Sequence, residues 1–288
     1  MENILEIKNL NKQYDGFSLS DISFSLPRGY ICGLIGPNGS GKTTIIKLIM
    51  NIIPKDDGSI KVFGLDNEAD EVEVKSRIGF VHDTPDFYKE SKLKIIKEIV
   101  APFYIEWSDE KFMGYIDKFE LPLKKKFSSL SLGMKMKFWL AIALSHNAEL
   151  ILLDEPTSGL DPVFRREFLE MLSDIIQDER KSVLFSTHIT SDLDRIADYI
   201  TFIKNGKLVF SKTKDEIFDN YGVIKGGDEI TNAKYENSIC GYKKTSLGVD
   251  ALTNNIQGIK TSLGDKAIYE KATLEDIMYY TDKKETKA

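Results

Sequence analysis

The eight residues GPNGSGKT, Gly36 to Thr43, restrict the fold of this chain more than any other stretch. They match the spacing Gly-x4-Gly-Lys-Ser/Thr and follow YICGLIG, a continuous apolar run that reads as a fully buried strand. A helix is expected from about Lys42 to Ile53, stopped by Pro54. Strand, glycine-rich turn and helix in that order make an anion cradle. Gly36, Gly39 and Gly41 can take backbone angles closed to other residues, so successive amides turn inward. The helix N-terminus adds the positive end of its dipole. Lys42 is then placed to reach the β- and γ-phosphates of a nucleotide, and the Thr43 hydroxyl to ligate Mg²⁺. Pro37, Asn38, Ser40 and Thr44 complete the candidate nucleotide-binding loop.

Around this motif the chain alternates strands and helices. ILEIKNL and DISFSL alternate apolar and polar residues, as half-buried strands do. After the turn DDGS, the stretches IKVFG and RIGFV read as strands. From about 85 to 147 the strand signal vanishes, and KLKIIKEIVAPFY, SDEKFMGYIDKF and LGMKMKFWLAIALSHN suggest a helical insert. Strands return as LILLD and SVLFSTH, separated by a helix from about Val163 to Ile176. YITFIKNGKLVFS reads as a hairpin around Asn205-Gly206, a pair that accepts φ > 0. Beyond about Tyr221 the polar, glycine-rich GVIKGGDEITNAKYENS marks a boundary. The expected organisation is an α/β domain over 1–220 with a helical subdomain at about 85–147, and a small accessory domain over 221–288.

A second chemical signal is LILLDEP. This buried strand ends in Asp154 and Glu155, where the chain emerges at the carboxyl edge of the sheet and ligands bind. Asp154 is the candidate to hold Mg²⁺, directly or through water. Glu155 is left to orient or deprotonate an attacking water.

Composition narrows the partners. Lysine plus arginine number 39 against 45 acids, a net charge of −6 that argues against a general nucleic-acid binder. Cys32 and Cys240 lie far apart, without metal-like spacing. Three scattered histidines, His82, His146 and His188, argue against a zinc site. No apolar run approaches the roughly 18 residues that span a bilayer, and MENILEIKNL lacks the features of a signal peptide. Any work at a membrane is therefore expected from outside the lipid.

GPNGSGKT, LSLGM at 130–134, LLDEPTSGLD at 152–161 and STH at 186–188 occur in the order and spacing of ATP-binding-cassette ATPases. The resemblance covers about residues 3 to 215. It implies a phosphate-loop NTPase core with an antiparallel β subdomain, an inserted helical subdomain and, here, a small C-terminal appendage. In that family two subunits pack head to tail, and each presents its signature motif to the γ-phosphate held by the other. Ser131, Leu132, Gly133 and Met134 match that motif, with Leu132 where many members have glycine and Met134 where many have glutamine. The residue types suit that role, since Ser131 can cap the helix, Gly133 keeps its first turn open, and unpaired N–H groups face outward. Tyr14 matches the aromatic that stacks on adenine, a contact of about 1–3 kcal/mol. His188 matches the switch histidine that contacts the γ-phosphate, and Asp161 the loop that links the two sites. Asp83 stands where most members have a glutamine that senses Mg²⁺ and the γ-phosphate at the joint with the helical insert. It keeps an acceptor there and loses a donor.

The tail TLEDIM is similar to that of exporter subunits for antimicrobial or amphipathic toxic peptides, including the phenol-soluble-modulin exporters. Leu274, Ile277 and Met278 share one helical face, which reads as docking onto the core. The resemblance therefore implies an ATP- and Mg²⁺-dependent ATPase that powers an exporter. It would be peripheral at the cytoplasmic face of the membrane, cytosolic when isolated, and partnered by a separate transmembrane permease and a second cassette. The alternatives are a non-transport cassette ATPase acting on nucleic acid or ribosomes, and a regulatory cassette partner. The short helical insert and single cassette count against the first, and Lys42, Asp154, Glu155 and His188 against the second.

Overall fold

Alternating burial along the first strands sets up a sheet with one dry face. The computed structural model describes residues 2–81 and 88–283. In chain order the elements are β1 (Asn3–Tyr14), β2 (Phe17–Pro27), β3 (Ile31–Ile35), α1 (Lys42–Ile49), β4 (Asp57–Val62), β5 (Leu65–Asp66), α2 (Glu71–Ser76) and β6 (Ile78–Val81). Three helices follow, α3 (Leu93–Val100), α4 (Asp109–Lys118) and α5 (Leu132–Leu144). Then come β7 (Leu150–Asp154), α6 (Pro162–Ile175), β8 (Ser182–Thr187), α7 (Thr190–Ile196), β9 (Tyr199–Lys204) and β10 (Lys207–Thr213). The remainder comprises α8 (Lys214–Asn220), β11 (Gly222–Gly226), β12 (Ile239–Thr245), β13 (Gly248–Thr253), α9 (Ile256–Leu263), β14 (Ala267–Lys271) and α10 (Leu274–Lys283). The chain divides into two compact units, Met1–Ser211 and Lys212–Ala288.

In the first unit an antiparallel sheet of order β2-β1-β4-β5 accompanies a six-stranded sheet of order β10-β9-β3-β8-β7-β6. Strands β3, β7 and β8 are buried along their whole length, as continuous apolar runs in a parallel sheet require. β3 pairs in parallel with β8 on one side and β9 on the other, and β8 with β7 in turn. The carboxyl ends of β3, β8 and β7 therefore emerge at one edge, carrying the Gly36 loop, His188 and Asp154-Glu155. Leu5, Ile7 and Leu10 of β1 share one core with Ile60 and Val62 of β4, Leu34 of β3 and Ile45 and Ile49 of α1. Each such fully buried side chain contributes about 1.5–3 kcal/mol.

Helix α1 ends at Ile49 rather than Ile53. Asn51 takes φ 46°, its N–H donates to Leu48 O at 3.0 Å, and Ile52 N donates to Lys47 O at 2.9 Å. This pair of bonds around a left-handed residue closes the helix before Pro54 is reached. The α3–α5 region packs around Phe112, Phe127, Phe138 and Trp139, whose rings meet at 5.5–6.3 Å.

At the end of this region His146 stacks on Tyr104, ring centroids 3.7 Å apart and planes at 14°, with His146 only 1% exposed. Burial pushes the His146 pKa down from 6.5 to about 4. The folded state thus binds fewer protons than the unfolded chain between those values. Stability is whole above pH 6.5 and falls as pH drops toward 4, by on the order of 3 kcal/mol. Thermal melts from pH 7 to 4 should show wild type losing more stability than His146→Phe; parallel losses would remove His146 as the cause.

The second unit is a four-stranded antiparallel sheet of order β12-β13-β11-β14. Ile259 and Leu263 of α9 join Ile224, Val249 and Ala251 in its core. Helix α10 buries Leu274 and Ile277 and lies against β12 and β13, so the TLEDIM face docks on the sheet of its own unit.

Candidate functional site

Side chains brought to the carboxyl edge of the six-stranded sheet surround a cavity of about 650 Å³, within the range of small-molecule sites. Asn38, Gly39, Gly41, Lys42, Thr43 and Thr44 line one side, and Glu155, Ser158 and His188 the other. Gly16 and Phe17 close the end.

The phosphate loop can be held only by glycine at its ends. Gly36 sits at φ 156° with Ile203 O 2.1 Å from where a Cβ would lie, and Gly41 at φ 110° with Leu19 Cδ2 2.5 Å away. The hairpin turn between β9 and β10 supports the loop from outside. Asn205 and Gly206 take φ 48° and 69°; Gly206 N donates to Ser40 O at 3.1 Å, and Ser20 N donates to Gly206 O at 2.8 Å. A Cβ on Gly206 would fall 1.7 Å from Ser18 O, so this turn too requires glycine.

Lys42 is only 5% exposed. Its ammonium donates to Gly36 O at 2.8 Å and Pro37 O at 3.2 Å, and lies 3.3 Å from Glu155 Oε1. The loop's own carbonyls thus occupy the donors that an entering phosphate would take. Asp154 is buried, and its Oδ1 accepts from Thr43 Oγ1 at 3.0 Å and Ser186 Oγ at 2.7 Å. Among the described residues no group of three or more His, Cys, Asp or Glu side chains could hold a metal. A hydroxyl and a carboxylate side by side, next to a cavity of this size, instead suit Mg²⁺, which keeps waters and takes substrate phosphates as ligands. The residues present fit that ion.

At Glu155 the backbone turns left-handed, φ 48°, and its N–H donates to Ser186 Oγ at 2.9 Å. Glu155 Oε2 meets His188 Nδ1 at 2.8 Å. The structure therefore brings Lys42, Thr43, Asp154, Glu155 and His188 together. Ser186 links Asp154 to Glu155; its place in STH was visible, its bridging role was not.

Tyr14, the Ser131–Met134 stretch and Asp161 lie outside this cavity. Tyr14 is 39% exposed at the end of β1 and does not line the cavity. Its ring stacks near-parallel with Phe17, centroids 6.5 Å apart, and Phe17 lines the cavity instead. The signal was there in YDGF, two aromatics bracketing a turn whose Gly16 has φ 79°. Ser131, Leu132, Gly133 and Met134 do not line the cavity of their own chain. Ser131 caps α5, its Oγ accepting from Met134 N at 3.3 Å. A Cβ on Gly133 would lie 2.8 Å from Phe164 Cδ1, so the missing side chain also makes room for the Phe164 ring. Leu132 reaches toward Gly159. Asp161 caps α6, accepting from Val163 N at 3.1 Å and Phe164 N at 3.0 Å. Asp83 and His82 lie outside the described residues.

Comparison with known proteins bears on this geometry. Residues 19–158 match the ABC transporter family. The bacitracin transport ATP-binding protein BcrA of Enterococcus faecalis is 33% identical, covering 92% of this chain and 87% of that protein. The lantibiotic transport ATP-binding protein SrtF of Streptococcus pyogenes is 32% identical, covering 75% and 96%. Among solved structures, the ATP-binding subunit of an ABC transporter superposes with a TM-score of 0.67 at 27% identity, covering 75% of this chain and 92% of that one. A dimeric ATP-binding cassette bound to ADP and phosphate gives a TM-score of 0.65 at 23% identity, covering 73% and 98%, a likeness of fold.

Proposed function

The chain belongs to the ATP-binding-cassette transporter family, and on that footing we propose that it powers export of peptide antimicrobials or similar amphipathic toxic compounds through a separate membrane permease. It is an ATPase of that family, with ATP as its nucleotide. The observation that carries the site reading is the convergence of Lys42, Thr43, Glu155 and His188 on one cavity, with Asp154 bonded to Thr43 behind it. The substrate class is supported by relatives named for bacitracin and lantibiotic transport. No helix among the described residues is long and apolar enough to cross a membrane. The membrane-spanning path is assigned to the partner, with this subunit peripheral at the cytoplasmic face.

In the proposed cycle the Lys42 ammonium leaves the Gly36 and Pro37 carbonyls for the β- and γ-phosphates, drawn by their greater charge. Backbone N–H groups of Gly39 and of residues 41–44 wrap the remaining phosphate oxygens. Thr43 and Asp154 would hold Mg²⁺, with Asp83 assigned to the same cation or its water on resemblance. The cation, when bound, neutralises charge on the phosphates as a Lewis acid. Glu155 accepts a proton from the water whose oxygen bonds to the γ-phosphorus as the bond to the β–γ bridging oxygen breaks, ADP and phosphate being the products, and His188, beside Glu155, contacts the γ-phosphate. Phe17, with Tyr14 behind it, supplies an apolar face for the base.

Ser131, Leu132, Gly133 and Met134 act in trans, on nucleotide held by a second cassette packed head to tail, with Asp161 at the seam between the sites. Phosphate release per molecule should therefore rise with protein concentration until the dimer saturates. Specific activity that stays flat from nanomolar to tens of micromolar, while gel filtration shows monomer becoming dimer, would sink the trans assignment.

A further inference from the structure

We propose that Asp192 is a positioning residue for hydrolysis, a buried carboxylate that holds the segments carrying Glu155, Asp161 and His188 in register. The inference rests on the reading of Glu155 as the base.

Asp192 is 2% exposed, and its two oxygens bind different partners. Oδ2 accepts from Thr157 Oγ1 at 2.7 Å, and Oδ1 accepts from Arg165 Nε at 2.6 Å. Arg165 also donates from its terminal nitrogen to Ser191 Oγ at 3.0 Å. Thr157 lies two residues beyond Glu155, in a turn that Ser158 N closes onto Glu155 O at 3.1 Å. Arg165 lies in the first turn of α6, its N–H donating to Asp161 O at 2.9 Å. Asp192 itself lies four residues beyond His188, in the first turn of α7.

The chains leaving β7 and β8 are thus tied twice, by the Glu155–His188 contact inside the cavity and by Thr157–Asp192 behind it. Arg165 adds the helix capped by Asp161 to the same carboxylate. Mere adhesion of α6 to α7 would not need this arrangement, because apolar side chains of similar volume hold elements together as well as a buried ion pair does. A carboxylate with two directional partners fixes orientation instead. The geometry it fixes is that of the water-activating carboxylate against the γ-phosphate contact. Displacing such a group by about 1 Å can cost on the order of 100-fold in rate.

The test uses the full-length chain and measures kcat and KM for phosphate release, ATP affinity by calorimetry, and Tm. Thr157→Val removes one hydroxyl and leaves the Asp192–Arg165 pair whole, so it preserves the fold even where Asp192→Asn does not. Thr157→Val is expected to lower kcat by about 10-fold or more with KM and ATP affinity within about threefold, and Thr157→Ser to restore turnover. Wild-type kcat in Thr157→Val, or a loss that falls on KM, overturns the proposal, as does failure of Thr157→Ser to recover. Glu155→Gln is measured in parallel. If it turns over normally, the assignment of the base fails and takes this proposal with it. If it is inactive while Thr157→Val is normal, only the positioning role fails.

Discussion

Glu155→Gln is expected to lower ATP turnover by at least about 100-fold while leaving ATP affinity within a few-fold of wild type. The substitution keeps the shape of the side chain, and the backbone that aims it is fixed independently. Glu155 N–H is held by Ser186 Oγ, and the left-handed φ of 48° belongs to the turn, not to the carboxylate. The Thr43–Asp154 pair proposed to hold the cation is untouched. What disappears is the basic oxygen that meets His188, together with the negative charge 3.3 Å from the Lys42 ammonium. Losing that charge frees Lys42 for phosphate, so binding has no reason to weaken. Gel filtration with ATP and Mg²⁺ should then show a dimer that persists, because closure is no longer undone by hydrolysis. Turnover within about threefold of wild type would take Glu155 out of the base role.

Lys42→Met gives the second large effect, on binding rather than chemistry. The methylene stem is kept and the buried ammonium is lost, so packing changes little while the loop loses its only charged donor to phosphate among residues 36–44. Hydrogen bonds from a charged donor contribute about 1.5–3 kcal/mol, which corresponds to roughly 10- to 100-fold in affinity. Calorimetric titration with ATP should show this loss with Tm near that of wild type in the absence of nucleotide. Unchanged affinity would mean that the ammonium stays on Gly36 O and Pro37 O when nucleotide enters.

The places of those two residues were legible in the sequence because each follows a local pattern. A phosphate loop needs strand, glycines and helix within a few residues, and a carboxylate at a strand end follows directly from an apolar run. The hairpin at Asn205-Gly206 was legible for the same reason. Roles that depend on packing across the fold were not. Nothing near Gly133 announces Phe164, 31 positions later in the sequence, as the ring that requires its missing side chain. The C-terminal strands β11 to β14 escaped because five to seven residues rich in glycine and lysine carry little periodicity. Val223 and Ile224 are both buried there, so alternation gave no cue. Helix α1 was overextended because proline is a louder stop signal than an asparagine at φ 46°.

The turn that supports the phosphate loop also has a consequence for how the chain is made. Strand β3 leaves the ribosome well before both its neighbours, β8 and β9, and the Gly206 N–H that fastens Ser40, all of which lie more than 140 residues downstream. At translation rates of about 5–20 residues per second, the interval from Ser40 to Gly206 lasts roughly 10–30 s. Throughout it the apolar ICGLI segment has no sheet to enter, and the loop has no buttress. Assembly of the parallel sheet waits for β8 and β9, so the cavity at its carboxyl edge is completed only by pairings distant in sequence, the kind that form slowly.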